Sequence, residues 1–300
     1  MATVLITGAS GLIGTALSTA LQGQGHTVHK LGRGPTAKGG KNHFQWDVGK
    51  GVMDPKSLDG VTHIVHLAGA GIADARWSKA RVEELIASRA ASSRLLLNAV
   101  LAHGSKPVAF ISAAGINYYG ATTTDHLFVE SDAAGKDTIA RISLAWEAAV
   151  DEWSAITRVV KLRTPMVLAR EGGALKKLTI PVRFGAASAL GSGQQWVPWV
   201  HLYDLVRIYQ EALFNEAYRG AYNVNTGNDV TNDTLMRTLA RVMRKPYFVP
   251  KVPAFVLQVM LGELATILLE GSRASHQRLI DTGFRFKYSE LEPALRDLLD

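Results

Sequence analysis

Three glycines near the amino terminus, in Thr7-Gly8-Ala9-Ser10-Gly11-Leu12-Ile13-Gly14, stand three residues apart between a β-branched run and a helical one. Glycine lets the backbone turn sharply, approach a pyrophosphate closely and pack the next helix onto the strand. The helix start behind it offers unpaired N–H groups and the positive end of a dipole, which suits phosphate. Gly8, Ser10, Gly11, Leu12, Ile13 and Gly14 are therefore the expected diphosphate cradle, with a plain structural turn as the alternative. A ribose 2′-hydroxyl would call for a carboxylate at the end of the second strand. That strand ends Lys30-Leu31-Gly32-Arg33, with no carboxylate in reach. Arg33 can pair bidentately with a 2′-phosphate, which points to NADP(H) rather than NAD(H). An ordinary surface arginine is the competing reading. Lys30, Arg33, Lys38 and Lys41 make this the most basic part of the N-terminal half.

The elements that must position these residues follow from the apolar pattern. Residues 3–7 read as a strand, and Leu12, Ile13, Ala16, Leu17, Ala20 and Leu21 as a helix with one apolar stripe, ended by Gly23 and Gly25. Further strands are expected over 26–31, 42–46, 62–68, 108–111 and 158–162, with helices over 79–103 and 139–153. Alternation of this kind predicts βαβ units and an α/β fold, a Rossmann-type doubly wound parallel sheet. Past Pro165 the pattern changes. Residues 170–198 are glycine-rich without clear periodicity, 199–203 and 221–225 look like returns to the sheet, and the chain from Thr231 is mostly helical, with Asn232 as the expected cap of a helix through Met243. The division is then 1–169 with 199–228 as a nucleotide-binding domain, and 170–198 with 229–300 as a small, mostly helical substrate or lid domain.

Of the 300 residues, 47% are hydrophobic and 20% charged, a globular composition that excludes disorder, collagen and coiled coil as the main architecture. Without cysteine, disulfides, thiolate metal sites and cysteine nucleophiles are excluded. The nine histidines are scattered without ligand spacing, so no metal is expected. A net charge of +7 suits an anionic partner. No nucleic-acid reading motif accompanies it, so a small phosphate-bearing molecule is expected and nucleic acid is not. No basic, then apolar, leader opens the chain. The apolar stretch 252–269 is broken by Gln258, Gly262, Glu263 and Thr266 and reads as a buried helix, not a membrane span. The expectation is a cytoplasmic protein with no membrane partner. The oligomeric state stays open, a homodimer included.

The glycine spacing resembles that of extended short-chain dehydrogenase/reductases. Asp47-Val48, Leu67-Ala68-Gly69-Ala70 and Tyr119-Gly120 fit the same superfamily. More narrowly, Ala70-Gly71-Ile72 with Arg76-Trp77, Ser88-Arg89, Gly172-Gly173-Ala174-Leu175, Gly191-Ser192-Gly193-Gln194-Gln195-Trp196 through Trp199-Val200-His201 and Asp204-Leu205, and the tail Val252-Pro253-Ala254, Leu261-Gly262-Glu263 and Gly283-Phe284-x-Phe286 resemble the "epimerase family" of atypical members, relatives of NAD-dependent epimerases and dehydratases. The resemblance runs from residue 3 to about 299. It implies an NADP(H)-type site with a C-terminal domain closing over it. It also implies that Asp47 and Val48 contact adenine, that Leu67, Ala68, Gly69 and Ala70 line the cofactor, and that Arg89 stands where many relatives carry an asparagine near it. Arg89 would hold cofactor or an anionic substrate, or make a helix-surface salt bridge. Pro165 and Met166 would line the nicotinamide end, by position after the sixth strand.

The superfamily's usual reaction pairs hydride transfer with proton exchange at a Tyr-x-x-x-Lys tyrosine, beside a serine that polarises the carbonyl. Ile139 and Ser143 fall at the tyrosine and lysine positions. Ser112-Ala113-Ala114 leaves Ala114 where the polarising serine is expected. The remaining catalytic candidates are Ser112, Tyr119 and His201, each with a structural alternative: a buried hydroxyl, loop packing with Tyr118, and a core histidine beside Trp199. Asp204 reads as a helix cap. Gln195 and Trp196 would floor a substrate pocket, or Trp196 would anchor a domain interface. The leading expectation is an NADP(H)-binding reductase or epimerase acting on a small, anionic or nucleotide-sugar molecule. The rivals are a non-catalytic NADP(H) sensor and a Rossmann scaffold without nucleotide.

Overall fold

The computed structural model describes residues 1–34, 40 and 42–300; Lys38 and Lys41 lie outside the described residues. The strands β1 (Thr3–Thr7), β2 (Thr27–Gly32), β3 (His43–Asp47), β4 (Val52–Met53), β5 (His63–His66), β6 (Ala109–Gly115), β8 (Arg158–Thr164) and β11 (Gly220–Asn223) form one sheet in the order β11-β8-β6-β5-β1-β2-β3-β4. Every pairing is parallel except β3 with β4. The architecture is the Rossmann-type doubly wound sheet. The strand order reverses at β1, between β5 and β2, which opens a crevice beyond the carboxyl ends of the strands.

Alternate residues of each strand feed opposite faces. Val4 and Ile6 pack with Leu17 and Leu21 of α1 (Leu12–Gly23) and Leu205 and Ile208 of α5 (Leu202–Phe214). Leu5 and Ile64 pack on the other face with Leu96 and Val100 of α2 (Lys79–His103) and Trp146 and Val150 of α3 (Thr138–Asp151). α2 is long and apolar enough by length and composition to cross a membrane, yet its apolar residues cover the sheet.

The carboxyl-terminal part departs from the sequence expectation in four places. β10 (Trp199–His201) pairs with β9 (Met166–Leu168) in a separate two-stranded sheet, and only 220–223 returns to the main one. A helix, α4 (Gly173–Arg183), lies within 170–198, where the sequence shows no clear periodicity; its buried stripe is only Leu175, Thr179 and Val182, and it contains Pro181. Thr231, not Asn232, caps α6 (Asn232–Val242), while the Asn232 amide oxygen accepts from the Leu190 N–H at 2.8 Å. Residues 252–269 form two short helices, α7 (Ala254–Leu261) and α8 (Ala265–Leu269), parted at Gly262, whose φ is +62°. The chain closes through α9 (Gln277–Ile280) and α10 (Leu291–Leu299), and β7 (Leu127–Phe128) pairs with β12 (Arg273–Ala274). A third apolar cluster joins Leu175 and Val182 of α4, Leu235 and Leu239 of α6, and Leu295 and Leu298 of α10 around Trp199.

A buried ion pair ties β8 to α3. Arg163 donates to both Glu147 carboxylate oxygens, at 2.8 and 3.1 Å, and Lys161 lies 3.3 Å from the same carboxylate. The guanidinium also stacks 3.6 Å over the Tyr118 ring. Removing one partner strands a buried charge, which typically costs about 3–5 kcal/mol. Glu147→Gln should therefore lower the unfolding free energy by an amount in that range, measured by urea denaturation followed by circular dichroism.

Candidate functional site

Parallel strands place the loops after β1, β2, β3, β5, β6 and β8 at one edge of the sheet. The glycine stretch sits at the centre of that edge. Gly8 has φ +67°, and a Cβ there would lie 3.0 Å from the Leu67 carbonyl carbon and oxygen. A Cβ at Gly14 would overlap the Gly8 carbonyl oxygen and lie 2.7 Å from the Ala9 Cα. Both glycines are thus required by contact, one against the loop after β5 and one between α1 and its own strand. α1 starts at Gly11 with no side-chain cap and no acidic residue in its first turn. Its first N–H groups face the crevice without helical partners. Ser10 and Gly11 are exposed beside them, and Leu12 and Ile13 are partly buried. This cradle fits a diphosphate: backbone donors, a dipole end, and no side chain in the way.

A chain of hydrogen bonds holds the two loops in register. Thr7 and His66 are neighbours across β1 and β5. The Thr7 hydroxyl accepts from the N–H groups of Leu67 and Ala68, at 3.1 and 3.2 Å, and donates to His66 Nδ1 at 2.9 Å. His66 Nε2–H then donates to Ser92 Oγ at 3.2 Å, and Ser92 donates to the Arg89 carbonyl at 3.0 Å. Sequence reasoning missed Thr7, His66 and Ser92. The threonine and histidine become partners only once the strand pairing is known, and their spacing of 59 residues carries no periodic signal.

Arg89 is buried, with no carboxylate partner among the described residues. It donates to the carbonyls of Leu85 at 3.0 Å and Ala70 at 2.9 Å, lies 4.9 Å from the Trp146 ring, and leaves Nε unpaired. It is no surface salt bridge. Its side chain presses on Gly69, where a Cβ would meet it at 3.1 Å. Burial, helped by the field of Arg81, lowers its pKa to about 10, so it remains a cation beneath the 67–70 loop. An unpaired buried cation favours an anion nearby. Ser88 fixes the same loop by accepting from the Ala70 N–H.

The other expected positions are dispersed around this edge. Arg33 is exposed just past β2, where Gln45 donates to its carbonyl at 3.4 Å, and no acidic residue is among the described residues that end the strand at 30–34. Asp47 accepts from the Lys50 N–H at 3.1 Å, and Val48 packs on the sheet's second core. Pro165 is buried, and Met166 opens β9. Ile139 and Ser143 do stand beside the end of β6. Ile139 lies in an apolar cluster with Trp77, Leu85, Ile142 and Leu264, and Ser143 donates to the Ile139 carbonyl at 3.1 Å.

The catalytic candidates are committed elsewhere. Ser112 donates to the Ala113 carbonyl at 2.8 Å. The Tyr119 hydroxyl bonds Asn223 Oδ1 at 2.8 Å and receives Arg163 Nη1 at 2.8 Å; burial pushes its pKa up to about 12. His201 caps α5, accepting the Tyr203 N–H at 3.1 Å; burial lowers its pKa, and Nε2 lies 3.4 Å from Asp297. Asp204 is not the cap. Fully buried, it accepts from the N–H groups of Lys287 and Tyr288, at 2.9 and 2.8 Å, and from Arg207 at 2.8 Å, which ties the tail to α5. Gln195 donates to the carbonyls of Leu190 and Leu268, at 3.0 and 2.6 Å. Trp196 donates to the Thr124 carbonyl at 3.0 Å, anchoring the 191–196 loop to the loop before β7. Among the described residues no group of His, Asp and Glu could hold a metal ion.

His66 gives a pH signature. Burial lowers its pKa from 6.5 to about 4, with the Arg89 cation adding to the effect. Below pH 6.5 the unfolded chain takes up a proton that the fold refuses until about pH 4. Stability should fall as pH drops through that window, by about 3 kcal/mol from this group. Urea midpoints followed across the window should show that loss, and His66→Gln should flatten it.

Residues 4–225 match the profile of the NAD dependent epimerase/dehydratase family, and residues 252–298 match a domain of unknown function, DUF1731. The chain is similar to the mouse "Epimerase family protein SDR39U1", 32% identical over 299 residues and 99% of both chains. It is similar also to "Epimerase family protein YfhF" of Bacillus subtilis, 31% identical over 99% of this chain and 97% of that one. A crystal structure of the human SDR39U1 protein with NADPH superposes with a TM-score of 0.87, at 30% identity, over 99% of this chain and 98% of that one.

Proposed function

The chain belongs to the NAD dependent epimerase/dehydratase family, among its epimerase-family proteins, and from that membership we propose that it binds NADP(H) and has kept nucleotide recognition without the tyrosine–lysine acid–base pair. One observation carries the reading: Gly8 and Gly14 leave no room for a Cβ, while the end of β2 presents Arg33 where a carboxylate would select the unphosphorylated ribose. The NADPH in the human relative's crystal supports the same cofactor. Gly8, Ser10, Gly11, Leu12, Ile13 and Gly14 would hold the diphosphate, Arg33 the 2′-phosphate, and Asp47 and Val48 the adenine. Leu67, Ala68, Gly69 and Ala70, with Arg89 beneath them, would flank the nicotinamide half, and Pro165 and Met166 its end. Gln195 and Trp196 would floor the substrate pocket, with Trp196 bonded across to Thr124 of the 1–169 and 199–228 lobe. NADP(H), when bound, supplies or takes up a hydride. The commitment of Ser112, Tyr119, Ile139, Ser143 and His201 to packing and capping supports a binding role. A cytoplasmic location belongs to the same reading.

The buried Arg89 cation favours a second reading, in which the site also takes a small anionic or nucleotide-sugar substrate as a reductase or epimerase. Mixing the NADPH-loaded protein with UDP-sugars and simple carbonyl compounds separates the two. Binding alone leaves both the reduced-nicotinamide absorbance and the sugar unchanged; steady NADPH oxidation by a carbonyl compound establishes a reductase, and inversion of a UDP-sugar by the NADP⁺-loaded protein without net cofactor reduction establishes an epimerase.

Titration calorimetry tests the cofactor. A charge-assisted pair contributes about 1.5–3 kcal/mol, so Arg33→Ala should weaken NADPH binding about tenfold or more and leave NADH binding unchanged. Equal weakening of both removes the 2′-phosphate role. No uptake of either coenzyme by the unaltered protein removes the whole proposal.

A further inference from the structure

Residues 172–203 and 234–262 hold eight of the 33 lysines and arginines and none of the 26 acidic residues. Without them the chain would carry one net negative charge rather than +7. The fold brings these stretches together. Residues 185–192 run beside 246–252: Gly191 N–H donates to the Val252 carbonyl at 2.9 Å, Val252 N–H to the Ala189 carbonyl at 2.9 Å, and Ser188 to the Pro250 carbonyl at 2.6 Å. The carboxyl ends of α4 and α6 therefore meet, and α7 follows directly.

On α4, Lys177, Ile180 and the terminal Phe184 lie opposite the buried Leu175, Thr179 and Val182, with exposed Lys176 and Arg183 along one flank. At the helix ends and on α7 large apolar side chains stand in solvent: Phe184 is 85% exposed, Phe248 78%, Phe255 66%, Val259 70% and Met260 66%. Arg237 and Arg241 are paired with Asp233 and Glu292. Lys176, Lys177, Arg183, Arg244, Lys245 and Lys251 are all exposed and have no ion-pair partner among the described residues. Arg244 even holds a backbone φ of +54°, a conformation that favours glycine.

From this strip we propose that the protein docks on an anionic phospholipid bilayer surface, with the lysines and arginines at the headgroups and the phenylalanines and α7 side chains at the acyl boundary. Protruding apolar side chains among unpaired cations are what such a surface selects. A second copy fits worse, because a two-fold contact here would set cation against cation. A nucleic acid would reward flat aromatic and hydrogen-bonding groups, and Ile180, Val259 and Met260 offer neither. The proposal replaces the expectation of no membrane partner, which rests on the absence of a spanning segment, and is independent of the nucleotide site at the strand ends.

Sedimentation with vesicles of mixed phosphatidylcholine and phosphatidylglycerol, against phosphatidylcholine alone, tests it on the full chain. Binding is expected to the mixed vesicles only, and to weaken with salt. Lys177→Ala and Lys245→Ala should each weaken it about fivefold, from about 1 kcal/mol per surface cation. Phe184→Ser with Phe248→Ser should weaken it about tenfold or more through lost apolar burial. These side chains are exposed, so NADPH affinity and thermal unfolding should stay unchanged in every variant. Failure to bind the mixed vesicles, equal binding to both vesicle types, or binding that ignores the variants overturns the proposal. So does a dimer, or an oligonucleotide complex, that forms through the same phenylalanines while vesicles are ignored.

Discussion

The Gly8 backbone presses against Leu67 and Ala68, and most of the crevice depends on that contact. It is possible only because residue 8 has no Cβ. The Thr7 hydroxyl completes it by satisfying both N–H groups of the opposing loop. With those donors tied down, the loop after β5 cannot collapse across the helix start, and the α1 N–H groups stay open to an anion. His66 and Ser92 extend the tie to α2, where Arg89 sits. The phosphate end and the buried cation are thus fixed by one run of hydrogen bonds.

The two buried arginines show how differently a fold can treat the same charge. Arg163 has a bidentate carboxylate, a tyrosine hydroxyl and an aromatic face, so its charge is fully answered within the protein. Arg89 has carbonyls and an indole but no counter-charge. The first arrangement is structural, holding β8, α3 and the 118–119 turn together. The second leaves a positive potential under an exposed glycine loop.

Beside the end of β6, the position where the resemblance implies a proton-exchanging tyrosine is taken by Ile139. Ile139 lies in a cluster completed by Trp77 and by Leu264 ahead of α8. Apolar packing and acid–base work exclude one another there. An ionisable group buried in that cluster would have its charged form strongly disfavoured.

The fold and the glycine turn between β1 and α1 were legible in the residues because their signals are local. Glycine spacing, apolar strands and helical stripes are written in consecutive positions. The same locality marked Ile139 and Ser143 as unsuited to the usual chemistry. What the chain alone left open depends on partners far apart in sequence. Asn232 could cap its own helix or serve Leu190, and Asp204 could cap α5 or hold the tail at 287–288. Trp199 could join the main sheet or pair with Met166. In each case local chemistry allowed both outcomes, and packing of distant segments selected one. The Thr7–His66 tie and the gathering of phenylalanines and cations at the ends of α4 and α6 arose the same way. The sequence thus determined which backbone could approach a phosphate, since that is a property of single residues. Only tertiary structure decided which polar side chains remained free to meet a ligand, because burial and hydrogen-bond partners are set by segments brought together in space.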